Sequence, residues 1–268
     1  SNIILDAHDV MSERAIQFPN ENLSFTASKL RKYYSPALES LATRIADHII
    51  TVSKKDQKLM TKLNNVPPEK QTVIPNGAHP VDPDTLENEK TIRDEFGLSP
   101  DCTAVVFHGN CITGTHNLEA AEHICQELAP KFRDDVKFIL IGKGMPQSDQ
   151  DNIATLGFVD DLYSTLYAMD IAVAPLLSGT ATKLKMFDYM SVKLPIISTN
   201  KGTEGIDLEN QKDVITNELG DEFETALKRL IRDPSLQERL GESGRHLIES
   251  KYNWEHIGKK LDNVYETL

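Results

Sequence analysis

Short apolar runs separated by amphipathic stretches recur through the last two thirds of the chain. Residues 103–107, 136–141, 153–156, 171–174 and 195–198 are compact and rich in Val, Ile, Leu and Phe, which predicts buried strands; Val214-Ile215 is a sixth candidate. Between them, Leu118, Ala121, Ile124, Cys125 and Leu128 repeat at helical spacing up to Pro130, and residues 162–168 and 182–191 read as further helices. Strands of four to six residues alternating with helices predict βαβ units and a doubly wound parallel sheet, which binds ligands beyond the carboxyl ends of its strands. The end of the chain is helical. Asp233-Pro234 offers an N-cap with proline at the first helical position, and Asn253 opens a last helix carrying Trp254, Ile257, Leu261 and Val264. Trp254 is expected in the core.

The first 80 residues have a different pattern. A strand at residues 3–5 runs into Asp6-Ala7-His8-Asp9, and a helix-prone stretch reaches Ala46 with an expected break at Ser35-Pro36. Residues 49–52 and Val73-Ile74 are further strands with a helix between them. Two or three strands make an incomplete doubly wound sheet. The expected organisation is therefore a partial α/β domain over 1–80, a Rossmann-like ligand-binding domain over 81–250, and a C-terminal helix over 251–268 packing back on the first part.

Composition and charge narrow the function classes. The chain has 268 residues, 39% hydrophobic, with a net charge of -12. That acidity excludes a general nucleic-acid binder, which needs a basic face for phosphates. The charge is uneven: residues 1–80 hold ten Lys/Arg against eight Asp/Glu, so the acidity belongs to the rest. No apolar run nears the roughly 20 residues that span a bilayer, and no signal peptide is visible at the start. Three cysteines, without metal-ligand spacing, read as reduced thiols, so a cytoplasmic location is expected.

The chemistry concentrates in residues 174–206. A buried strand runs into a Ser178-Gly179-Thr180 loop and then a helix with Lys183, Lys185 and Asp188. Backbone N–H groups of such a loop and helix start suit an anion, and two lysines placed there against the helix dipole suit a diphosphate. Asp188 shares a helix face with Lys185 and could accept both hydroxyls of a ribose. The alternative is a solvated helix start with an i,i+3 ion pair.

The order of that strand, the Gly-Thr loop, Lys-x-Lys-x-x-Asp, Leu194-Pro195-Ile196-Ile197-Ser198-Thr199 and Gly202-Thr203-Glu204-Gly205 resembles the family 4 (group 1) retaining glycosyltransferases. Phe107-His108-Gly109-Asn110, Leu140-Ile141-Gly142-Lys143-Gly144, Leu156-Gly157-Phe158-Val159-Asp160 and Tyr252-Asn253-Trp254 fall in the same order as that family's elements. The resemblance implies the two-domain GT-B fold, with the first strands of the N-terminal domain lacking, and sugar transfer from a nucleoside-diphosphate sugar to a glycan or lipid-linked hydroxyl. By the resemblance, Gly109, Asn110, Gly142, Phe158, Val159, Gly179, Thr180, Lys183 and Asp188 bind the donor, and His8 and Lys185 are the catalytic candidates. Asp188 replaces the second glutamate of the family's paired-acid motif, and Thr180 stands where the first would be. Family cations on the diphosphate are replaced by Asn110 and by His116 or Asn117, so either Lys183 and Lys185 take over charge neutralisation or catalysis is weak. No paired-acid metal motif stands in the loop, so neither metal nor cofactor is expected beyond the donor substrate. Lys29, Arg31, Lys32, Tyr33 and Tyr34 could touch an anionic membrane face, or form an exposed helix turn. Competing readings are a non-catalytic nucleotide-sugar-binding subunit that needs a partner chain, and a GT-B-type sugar-nucleotide epimerase.

Overall fold

The computed structural model describes residues 2–17, 25–132 and 135–268, with the side chains of residues 25–33 outside the description. Two parallel sheets form, one of three strands and one of six.

The first sheet is β1 (Ile4–Ala7), β2 (His48–Thr51) and β3 (Gln71–Val73), paired in that order. Helices α1 (Met11–Gln17), α2 (Phe25–Ile45) and α3 (Lys54–Asn64) connect the strands. The expected break at Ser35-Pro36 is absent: α2 continues through Pro36. A buried carboxylate ties these helices together. Glu39 on α2 accepts from the backbone N–H groups of Met11 (2.6 Å) and Ser12 (3.1 Å) and from Asn64 Nδ2 (2.9 Å). An acid at the first turn of α1 satisfies donors that a helix start leaves unpaired. Along α2, Tyr34, Leu38, Leu41 and Ile45 are exposed.

The second sheet has the order β6-β5-β4-β7-β8-β9, with β4 (Thr103–His108), β5 (Val136–Ile141), β6 (Ile153–Leu156), β7 (Ile171–Ala174), β8 (Ile196–Ser198) and β9 (Ile215–Thr216). All six expected strands form. Side chains alternate between two cores because successive Cβ atoms point to opposite faces. Ala104, Val106, Ile139, Ile141, Ala172 and Ala174 face α4 (Glu89–Glu95), α6 (Leu162–Tyr167), α7 (Lys185–Ser191) and α9 (Pro234–Ser250). Val105, Phe107, Phe138, Leu140 and Val173 face α5 (Thr115–His123) and α8 (Asp221–Arg232). Each large side chain buried this way contributes roughly 1.5–3 kcal/mol. The helix expected to stop at Pro130 does so in stages: α5 widens into a π turn over Ile124–Leu128 and tightens into a 3-10 turn over Ala129–Lys131.

The chain steps outward from β4 through β5 to β6, then returns to the other side of β4 with β7. The β4–β7 junction is thus the switch point where a crevice opens beyond the strand ends. Arg93 anchors the opposite end, donating to Asp170 Oδ2 (3.1 Å) and the Cys102 carbonyl (2.6 Å).

The last helix, α10 (Trp254–Thr267), lays Ile257 and Val264 against Ile50 and Ile74 of the three-stranded unit, with Ile4 and Leu261 beside them. Trp254 is not a core residue as expected; it is 42% exposed at the first position of α10. The buried aromatic is Tyr252, which packs on Phe187 and whose hydroxyl accepts from the Asp207 N–H at 2.9 Å.

Candidate active site

Two adjoining cavities open at the carboxyl ends of the six-stranded sheet, sharing His108 and Gly109 at the end of β4. The first, about 450 Å³, is lined by Asn110, Gly142, Lys143, Phe158, Val159 and Asp160 among others. The second, about 340 Å³, gathers Gly179, Thr180, Thr182, Lys183, Lys185 and Asp188 with Asn117, and takes Asp9 and Arg14 from the three-stranded unit. The strand-end loops therefore bring all the expected donor residues together, divided between two compartments.

The floor between the compartments is backbone. Gly142 has φ 130°, and a Cβ there would lie 2.0 Å from the Gly109 carbonyl oxygen, so the ends of β4 and β5 can meet only without a side chain. The Gly109 N–H donates to the Ile141 carbonyl at 2.9 Å. Phe158 rims the first cavity at 70% exposure, with Lys143 Nζ 5.4 Å from its ring centre. The Asn110 side-chain oxygen is used locally, accepting from the N–H groups of Ile112 (3.0 Å) and Thr113 (3.3 Å) to shape the turn.

The second cavity is built around buried cations. The helix expected over 182–191 begins only at Lys185, and residues 180–184 form an irregular segment that places Thr182 and Lys183 against the cavity. Lys185 Nζ donates to Asn117 Oδ1 at 2.7 Å and lies 4.0 Å from the ring centre of Phe107. Asn117 in turn donates to the Asn110 carbonyl at 3.0 Å. Burial, with Lys183 nearby, pushes the Lys185 ammonium down to about 7. Lys183 donates to the Ala181 carbonyl at 2.7 Å and is pushed down to about 8 by burial and by Lys201 and Lys55. Gly179, at φ 110°, leaves room for that lysine: a Cβ there would meet its Nζ at 2.6 Å. The i,i+3 pair of Lys185 with Asp188, which belonged to the alternative of a solvated helix start, is not among the ion pairs of the described residues.

Asp188 instead faces β4 and α6. Its Oδ1 accepts from the Tyr163 hydroxyl at 3.1 Å, and Oδ2 lies 3.5 Å from His108 Nε2. Burial pushes His108 down to about 3, so the imidazole is neutral and that contact is not an ion pair. Burial raises the Asp188 carboxyl, opposed by Tyr163 and Lys185.

His8, expected to line the cleft, does not line either cavity. It is exposed, with Nε2 3.2 Å from Asp6 Oδ2. The cause is the bend that follows β1 at the buried Ala7: His8 turns outward, and Asp9 turns toward the cavity to accept from Thr180 Oγ1 at 3.2 Å. Asp9, His108, Tyr163 and Arg14 were missed as site residues. Only His108 carried a signal, its place at a strand end before a glycine.

Contacts between the two units flank the cavity. Lys55 of α3 bridges Glu13 of α1 (2.9 Å) and Glu204 of the β8–β9 loop (3.1 Å), and donates to the Thr180 carbonyl at 3.3 Å. Burial disfavours its charge, but the two glutamates outweigh burial and hold its pKa above the usual value.

The family description "Glycosyl transferases group 1" matches residues 103–233, and "Glycosyltransferase Family 4" matches residues 7–81. An uncharacterized glycosyltransferase of Methanocaldococcus jannaschii is 24% identical over 249 residues, covering 86% of this chain and 62% of its own. A UDP-Gal:alpha-D-GlcNAc-diphosphoundecaprenol alpha-1,3-galactosyltransferase of Escherichia coli is 25% identical, covering 85% of this chain and 61% of its own. The chain thus spans less than two thirds of the length of these curated relatives. Among solved structures, the Anabaena protein HepE, crystallised with UDP and glucose, superposes over 100% of this chain and 72% of its own with TM-score 0.78 at 15% identity. WaaG, a glycosyltransferase involved in lipopolysaccharide biosynthesis, superposes over 97% and 74% with TM-score 0.71 at 14% identity. With one match across each of its two α/β units, and GT-B enzymes as its structural neighbours, the chain belongs to the family 4 (group 1) glycosyltransferases and has their fold.

Proposed function

We propose that this site binds a nucleoside-diphosphate sugar and transfers the sugar to a hydroxyl acceptor with retention at the anomeric carbon. The observation that carries the reading is the pairing of compartments at the β4–β7 switch point, one rimmed by an aromatic ring and main chain, the other holding two buried lysines. In this reading the base lies in the first cavity beside Phe158 and Val159, Asp188 accepts the ribose hydroxyls, and Lys183 and Lys185 face the diphosphate. HepE crystallised with UDP and glucose, and the Escherichia coli relative named for UDP-Gal, support the class of donor.

In the transfer step the bond between the anomeric carbon and the distal phosphate oxygen breaks, and its electron pair leaves with the diphosphate. The acceptor oxygen bonds to the same face of the sugar and yields its proton to the departing phosphate. Charge therefore grows on the diphosphate, where Lys183, Lys185 and the strand-end N–H groups are already fixed, and such preorganised charge lowers the barrier. No metal or further cofactor has a part in this reading. The acceptor is a glycan or lipid-linked hydroxyl; among the described residues no helix is long and apolar enough to cross a membrane, and the basic patch at Lys29–Tyr34 lies mostly outside the described side chains.

A thermal-shift panel of UDP-, GDP- and ADP-sugars tests the reading. A donor at 100 times its dissociation constant stabilises by about 2.7 kcal/mol. If none of the three classes shifts melting, the assignment of the cavities fails.

A further inference from the structure

Among the described residues, three buried polar atoms without a hydrogen-bond partner belong to residues lining the second cavity: Asp9 Oδ1, His108 Nε2 and Thr182 Oγ1. Buried polar atoms are rarely left unpaired, so their convergence on one cavity marks groups that a ligand completes. Asp9 differs from the other two because it comes from the three-stranded unit, across the cleft. Its place is well fixed. Oδ2 accepts from Thr180 Oγ1 at 3.2 Å, and the turn that carries it leads into α1, whose first N–H groups are held by Glu39.

The remaining oxygen needs a hydrogen-bond donor. A diphosphate offers none at neutral pH and would repel a carboxylate, whereas a sugar ring carries several hydroxyls. The groups around Asp9 fit a boundary between the two. Lys183 and Lys185 line the same cavity on the side of residues 180–188, while Glu13 and Arg14 lie on Asp9's own side.

Building on the donor reading above, we propose that Asp9 recognises the sugar of the donor, its free carboxylate oxygen accepting a ring hydroxyl, and that Thr180 is the residue that positions it. The site of sugar selection is then shared by both units, and forms only when the cleft is closed as here. Burial favours the neutral form of Asp9 and outweighs Thr180, the Arg14 charge and the Val10 N–H, which stabilise the charged one.

The test compares each nucleoside diphosphate with its sugar by calorimetry: UDP with UDP-glucose, GDP with GDP-mannose, ADP with ADP-glucose. The readout is the ratio of the two dissociation constants for wild type, Asp9→Asn and Thr180→Val. Loss of a hydrogen bond to a charged group is expected to weaken the sugar-bearing ligand about tenfold in Asp9→Asn, with the bare diphosphate unchanged within about twofold. Thr180→Val is expected to move the ratio in the same direction by less. An unchanged ratio in Asp9→Asn, with wild-type diphosphate affinity, overturns the inference and leaves the donor reading standing. So does an effect confined to the acceptor's KM. If wild type binds none of the six ligands, both fall together. Where Asp9→Asn does not melt cooperatively, an unchanged ratio in Thr180→Val overturns the inference.

Discussion

The two cavities at the strand ends share His108 and Gly109 yet solve opposite problems. The first has main chain for its floor and an exposed ring for its rim, so it selects by shape and changes little with conditions. The second holds two ammonium groups below their ordinary pKa, so its affinity depends on protonation. A bound anion repairs what burial costs those lysines, and the free site waits in a state that favours losing protons. On the proposed reading, the difference separates two tasks: charge in the second cavity holds the diphosphate, and geometry in the first chooses the base.

The sharpest way to break this comparison is Lys185→Met, which removes the buried cation and keeps its volume. Sugar transfer is expected to fall about 10²–10³-fold, measured as kcat on whichever donor the thermal-shift panel identifies. Pyrophosphate affinity should fall with it; unchanged pyrophosphate binding would move the anion site elsewhere. Second comes pH. Above about 7, and again above about 8, Lys185 and Lys183 lose protons, so the affinity for pyrophosphate is expected to weaken by at most about tenfold per pH unit for each lysine. Calorimetry in buffers of different ionisation enthalpy should record proton uptake on binding. Stability of the free protein runs the other way. The unfolded lysines titrate near 10.5, so from about 7 to about 10.5 the unfolded state holds more protons, and denaturant midpoints should rise with pH from these two groups.

Asp188→Asn sharpens the border between the cavities. It is expected to weaken nucleoside and nucleoside diphosphate alike by about tenfold while leaving inorganic pyrophosphate unaffected. A loss for pyrophosphate would show that Asp188 acts by holding Lys185 and not the ribose. The smallest effect is expected for Phe158→Ala, about fivefold for the nucleoside and none for pyrophosphate, as an exposed ring contributes about 1 kcal/mol. Equilibrium dialysis with the two ligands separates these outcomes.

The strands of the second sheet were legible because a strand buried on both faces must be apolar throughout, and runs such as Val136-Lys137-Phe138-Ile139-Leu140-Ile141 have few other uses. Helix limits were harder. Residues 182–184 have a helix-compatible pattern, but the fold spends them on turning Thr182 and Lys183 inward. Pro36 signals a break by local rules, and the packing of α2 through Glu39 overrides it. Periodicity names the face of α10 that is covered, and Ile257 and Val264 obey it, but Trp254 at the first position lies at the margin of that face. Gly179 and the two lysines of the second cavity were readable from one contiguous segment. Asp9 and Tyr163 were not, and His108 only by its place at a strand end, because each acquires its meaning from a partner far along the chain: Thr180 for Asp9, Asp188 for the other two.

The end of β1 has a consequence for how such a site diversifies. Ala7 is the last residue of the strand, and the chain then bends through His8 and Asp9 before α1, with His8 exposed and Asp9 lining the cleft. Val10, just behind the bend, is buried in the core of the first unit, so an insertion here would displace that core, whereas a substitution at position 8 or 9 leaves it in place. The bend thus lets the cleft exchange its side-chain chemistry by substitution while the strand before it and the helix after it stay in place.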